Sequence, residues 1–144
     1  MKPILISLLV FLTMNACNMN KDKVSHDISE LHDIWALKEI SFNGLPAETD
    51  FSQIKTPVLE LHVKDKKMYG NDGCNAIFGT IEKLAGNTIR FGTIGSTKMA
   101  CPNMVIPAAF TKALLDVRTF QRKGLMLYFY NAEGQALLHF IKVD

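Results

Sequence analysis

The side chains in this sequence able to do chemistry are few, and they are scattered. Cys74 lies in Tyr69-Gly70-Asn71-Asp72-Gly73-Cys74-Asn75, and Cys101 closes Ser96-Thr97-Lys98-Met99-Ala100-Cys101-Pro102. Two such thiols could form a structural disulfide or a redox pair, but they are not in a C-x-x-C arrangement and only Lys98 stands near as a basic activator. Ser96 follows Gly95 without the G-x-S-x-G frame of an activated nucleophile, and His62 and His139 sit within strand-like patterns. Asn71 and Asp72 supply one acid beside one amide, too few hard ligands for calcium. Flanking glycines make turn capping the better account of both. His26-Asp27 and His32-Asp33 recur six residues apart, a spacing that suits no metal motif. The glycines at 70, 73 and 79 do not match a dinucleotide fingerprint. No catalytic constellation, metal site or cofactor is therefore expected, and the chain does not read as an enzyme.

A third cysteine, Cys17, has a different setting. It follows Met1-Lys2-Pro3, an apolar run over residues 4–12 broken only by Ser7, and Thr13-Met14-Asn15-Ala16. Positive charge, apolar stretch and small residue in that order make an export signal. The run is far shorter than the about 20 residues that cross a bilayer as a helix, so it is expected to be removed. A cysteine directly after the small residue resembles the bacterial lipobox, with Met14 standing where leucine is preferred. The expectation is a signal peptide over 1–16, and a lipidated Cys17 that anchors the chain to a membrane without spanning it. Asn18 is not the aspartate of an inner-membrane retention signal. The outer membrane, facing the periplasm or the surface, is then the expected address. Once Cys17 carries lipid, Cys74 and Cys101 are the remaining thiols, delivered to an oxidising compartment. A disulfide is the economical reading, worth about 3.5 kcal/mol by loop-closure entropy.

The elements that must hold these residues come from periodicity. Residues 17–33 are polar, with isolated Val24, Ile28 and Leu31, and read as a tether; the domain proper is expected over 34–144. Leu59, Leu61 and Val63 alternate with Glu60, His62 and Lys64, the period of a half-buried strand. Further strands are expected over 34–40, 76–82, 88–91, 125–130 and 135–143, with hairpin loops at 83–87 and 131–134. Between 104 and 120, Ile106, Phe110, Leu114 and Val117 form one apolar stripe, which predicts a helix with Asn103 as N-cap and Pro107 in its first turn. The predicted fold is α+β: a curved antiparallel sheet of six to seven strands packed with one helix. Trp35 and Phe110 are expected in its core.

Taken together, Trp35-x-Leu37, Gly73-Cys74-Asn75 with Phe78 and Gly79, Thr97-x-Met99-Ala100-Cys101 before a helix carrying Phe110 and Leu114, and the closing Leu125, Leu127, Gly134, Leu137 and Phe140 resemble the META domain family, in which HslJ-like heat-shock lipoproteins are found. The resemblance implies a small α+β fold in the cell envelope, often lipid-anchored, with a cysteine pair at Cys74 and Cys101 and no established catalytic residues.

Composition narrows the function further. A chain of 144 residues with 48% hydrophobic and 21% charged residues has room for one packed domain. Sixteen basic against fourteen acidic residues leave +2, too balanced for a nucleic-acid partner. Cleavage after residue 16 takes away Lys2 alone and leaves +1. Two roles remain, both non-enzymatic. One is envelope maintenance or stress response through contacts with an envelope protein partner. The other is carriage of an apolar ligand in a cavity lined by Phe78, Phe91, Met99, Phe110, Met126 and Phe129, residues that also suit an ordinary core.

Overall fold

A computed structural model describes residues 24–42, 50–52 and 54–143. The predicted signal peptide and Cys17 lie outside them. The strands are β1 (Val24–Ser25), β2 (Ile34–Ile40), β3 (Val58–His62), β4 (Lys67–Asn71), β5 (Ala76–Ala85), β6 (Thr88–Ser96), β7 (Thr119–Lys123), β8 (Met126–Tyr130) and β9 (Ala136–Val143). One helix, α1 (Val105–Asp116), separates β6 from β7, and a short 3-10 turn spans Ile28–Leu31.

All pairings are antiparallel, in the order β1-β7-β6-β5-β4-β3-β2-β9-β8, and β7 also pairs with β8. The sheet thus curls until its ends meet. It is not a clear barrel, because β6 and β7 share a single register pair, Thr88 with Thr119. Helix α1 packs against β6 and β9 and turns Ile106, Phe110 and Leu114 inward.

Among the described residues nine strands stand where six to seven were expected. The additional ones carry little apolar signal. β4 is Lys-Met-Tyr-Gly-Asn with Met68 alone buried, β7 is Thr-Phe-Gln-Arg-Lys with Phe120 alone buried, and β1 has two residues. β4 and β7 are held by neighbours on both flanks and β1 by β7 alone, none by an alternating pattern of its own. The first hairpin is also tighter than expected, since β5 and β6 run on to a turn at Gly86 and Asn87. The helix begins at Val105, with Met104 at the N-cap position; Asn103 still caps it, its side-chain oxygen accepting from the Val105 N–H at 3.0 Å. At the other end the Arg118 guanidinium donates to the carbonyls of Leu115 and Val117, a cation where the helix dipole is negative.

Residues 24–33 belong to the fold, which corrects their reading as part of a tether. Val24 and Ser25 pair with Lys123 and Arg122. Leu31 is fully buried against Trp35, whose indole N–H donates to the Leu31 carbonyl at 3.0 Å. Burying the indole required a partner for that N–H, and the preceding turn supplies it. The segment is pinned by two ion pairs, Glu30 with Arg122 at 2.7 Å and Asp33 with Lys142 at 2.6 Å, while the Arg122 guanidinium lies 6.0 Å from the Trp35 ring. Beneath it the core is a run of aromatic rings in edge contact: Phe91 with Phe129, Phe129 with Phe140, and Phe140 with Phe110.

Trp35 and Phe110 are both fully buried, as expected. Truncating either to alanine should cost about 3–5 kcal/mol, read as a lower denaturation midpoint at unchanged slope. Acid should loosen the N-terminal clamp. Hydrogen bonds from Ser25 and Arg122 hold the Glu30 carboxyl below its ordinary value of 4.5. For Asp33, burial pushes upward, yet hydrogen bonds from Lys142 and the Ile34 N–H leave the carboxyl below 3.8. Groups lowered by folding stabilise the native state above their unfolded values, and that contribution is lost as pH falls through the folded ones. Fluorescence of the single tryptophan should therefore shift below pH 4.5, before global unfolding. Glu30→Gln with Asp33→Asn should abolish that early step.

Candidate functional site

Between β4 and β5 the chain reverses through residues 72–75, and Gly73 takes φ 101°, a conformation in which side chains are strained. A Cβ there would also meet Ile54 Cδ1 at 2.8 Å. The acid of this corner is occupied by its own loop. Asp72, almost wholly buried, accepts from the N–H groups of Cys74 at 2.8 Å and Asn75 at 2.6 Å, and Asn71 accepts from the Gly73 N–H. Asn75 turns the other way. Its side-chain oxygen accepts from the Thr97 hydroxyl at 3.1 Å and the Met99 N–H at 2.7 Å, and Thr97 accepts in turn from the Ala76 N–H. Cys74 and Cys101 form a disulfide across the same gap, Cα atoms 6.1 Å apart and 27 positions apart in sequence. The corner and the segment leading to α1 are thus fastened by a covalent bond and an amide side chain. As expected from the residue types, Asn71 and Asp72 cap turns.

The other polar candidates do not converge. Ser96 ends β6 beside Ile77, whereas His62 ends β3 opposite Lys67. Three strand spacings, about 14 Å, separate their strands. His62 hydrogen-bonds Glu60 and makes edge contacts with His32 and Tyr69, ring centroids 5.4 Å away in each case. His139 stacks on Tyr128 at 4.3 Å and faces Glu39 at 3.6 Å. Of the sequence's His-Asp pairs, Asp27 caps the 3-10 turn through Ser29 and Asp33 holds Lys142, so neither acid stands beside its histidine as a ligand. Among the described residues no three His, Cys, Asp or Glu side chains are grouped to hold a metal ion. No described helix is long and apolar enough to cross a membrane.

The proposed cavity lining divides. Phe91 and Phe129 are buried in mutual edge contact and Phe110 is buried against Phe140, but Phe78 and Met99 are 53% and 59% exposed. Strand alternation explains Phe78: Ile77 and Ile81 point inward, so residue 78 must point out. There it lies over Gly95, where a Cβ would come within 2.6 Å of its ring. With Tyr69, its partner across β4, it walls an open cleft of about 440 Å³ that also includes Lys67, Thr80 and Thr93. A second open cleft of about 600 Å³ lies between the 3-10 turn and the β3–β4 turn, lined by Ile28, Ser29, His32, Val63 and Lys64. The sequence reading missed both surfaces. Outward phase in β4 and β5 could have shown the first, but the second depends on how the segment before β2 folds back.

The fastening across the corner should be measurable. Replacing both Cys74 and Cys101 by alanine should cost about 3.5 kcal/mol. Asn75→Ala with the disulfide intact should cost about 1–3 kcal/mol, by leaving two donors without their acceptor. Denaturant unfolding checks both values, and non-reducing peptide mapping checks the bond.

Three solved structures share this architecture. A protein from Burkholderia xenovorans, determined by NMR, superposes with a TM-score of 0.66 at 21% identity, covering 100% of this chain and 98% of that one. A second NMR structure has a TM-score of 0.58 at 18% identity, covering 80% of this chain and 94% of the other. The crystal structure of a duf4847 family protein from Bacteroides vulgatus gives 0.56 at 15% identity, over 82% of this chain and 100% of that chain. At such identities the likeness is one of fold. No curated protein matches the sequence. The META domain family does match, over residues 29–144, from within the 3-10 turn to the end of the chain. The chain belongs to the META domain family.

Proposed function

We propose that this protein is a non-enzymatic lipoprotein of the bacterial envelope, held by an acylated Cys17 on the outer membrane and acting through contacts of its META domain in envelope maintenance or stress response. The observation that carries the reading is the apolar run over residues 4–12 closing on Ala16-Cys17. Three further features support it. The fold begins by Val24, leaving little chain beyond the cysteine. The titratable side chains that could do chemistry are engaged singly, in caps, stacks and ion pairs. The disulfide suits an oxidising compartment. The carrier reading has less support, because Phe91, Phe110 and Phe129 are each in edge contact with another buried ring, while Phe78 and Met99 are exposed.

Replacing Cys17 by serine should move the protein out of the membrane fraction or leave it unprocessed, with a mass lacking the lipid. An unaltered mass and membrane fraction would refute the anchor. Single replacements of Ser96, His62 or His139 should leave biological activity intact in the folded protein. Loss of function at an unchanged melting temperature in any one of them would establish a chemical site and displace the non-enzymatic reading.

A further inference from the structure

Strand direction sorts the connections of this sheet into two ends. At one lie the corner, the disulfide, α1 and the β8–β9 turn; at the other lie the start of β2, the end of β9 and the β3–β4, β5–β6 and β7–β8 turns. Val24 pairs with Lys123, the last residue of β7, so the chain enters the fold at this second end. The β7–β8 turn has two residues, Gly124 and Leu125. Gly124 takes φ 59°, as the first position of a type II′ turn requires. The second position accepts polar residues readily, yet it holds a leucine that is 59% exposed. The tip is fixed, for the Leu125 carbonyl accepts from the Lys142 N–H at 2.8 Å. Val24 and Ile34 are exposed apolar residues at the same end, and the β3–β4 turn adds exposed Lys64 and Lys66 around Asp65.

Six residues lie between Cys17 and Val24, so seven chain steps join them. Those seven steps can span at most about 25 Å. A domain of this size is about 35 Å across. If Cys17 is anchored, the disulfide end cannot turn to the bilayer, because the entry end would then stand farther from it than the chain can reach. We propose that the entry end is a membrane-docking surface: the β7–β8 turn seats Leu125, with Val24 beside it, in the interfacial layer of the bilayer that holds Cys17, and Lys64 and Lys66 face its phosphates. The inference rests on the lipid anchor proposed above. A single leucine binds a membrane weakly, but a short tether raises the effective concentration of the surface to the millimolar range, where weak contacts suffice.

The test uses the full lipidated chain in vesicles of phosphatidylethanolamine and phosphatidylglycerol that contain nitroxide-labelled lipid. With Cys17 acylated and the other thiols joined, Asn87→Cys in the β5–β6 turn or Glu133→Cys in the β8–β9 turn supplies one reactive thiol for a fluorophore. Flotation with the vesicles is scored first, and protein that does not float overturns the anchor and the docking with it. In floating protein the label at 87 should be quenched several-fold more than the label at 133. Equal quenching would overturn the docking while leaving the anchor in place. Adding Leu125→Asn should reduce the difference, and an undiminished difference would overturn the seating of Leu125.

Discussion

The gap between β6 and β7 is the constraint around which this fold is arranged. After the pair Thr88 and Thr119 the two strands part, and the inner face of the sheet would be open to water there. The chain must in any case return from the far end of β6 to the start of β7, and it makes that crossing as α1. Covering the gap and making the connection are thus one act, with Ile106, Phe110 and Leu114 supplying the apolar stripe. The disulfide and Asn75 fix the point from which the crossing departs, and Arg118 at the helix C-terminus fixes where it arrives. The invested chemistry of the corner therefore serves geometry, and its polar groups are turned on the protein's own backbone.

A second set of contacts governs the opposite end. Leu31 covers Trp35, and the indole is held by a carbonyl from the same short turn. Arg122 links three parts of this end, as an ion-pair partner of Glu30, as a cation near the Trp35 ring and as the residue opposite Ser25. The N-terminal segment is in this way part of the domain's closure, and the point at which a tether would leave the molecule is set by packing. Orientation relative to whatever holds Cys17 follows from that placement.

Much of this was legible in residue order. The alternation in β3, the stripe of α1, the hairpin at Gly86 and Asn87 and the capping in residues 71–75 are local patterns, each encoded within a few positions. The entry segment was not legible. Leu31 is one leucine among polar residues, and its burial depends on Trp35 and on Arg122, which is distant in sequence. β4 and β7 escaped for a related reason, since each buries one side chain and owes its extended form to a hairpin partner. At the corner, residue types showed capping, but not that Asn75 would reach across to Thr97 and Met99. The exposed ring of Phe78 was misplaced because an aromatic residue in an apolar context reads as core until strand phase is known.

The pairing of β2 with β9 joins the first long strand to the last, with Trp35 opposite Lys142. Every hairpin between them can form from neighbouring chain, but this seam closes a loop of about a hundred residues, and loop closure of that length is slow relative to local pairing. The domain therefore cannot mature strand by strand as it emerges. Trp35 lacks its β9 neighbour until that strand is made, so a chain cut short before Leu137 would lose this closure. Completeness of the polypeptide is itself a condition of the folded state.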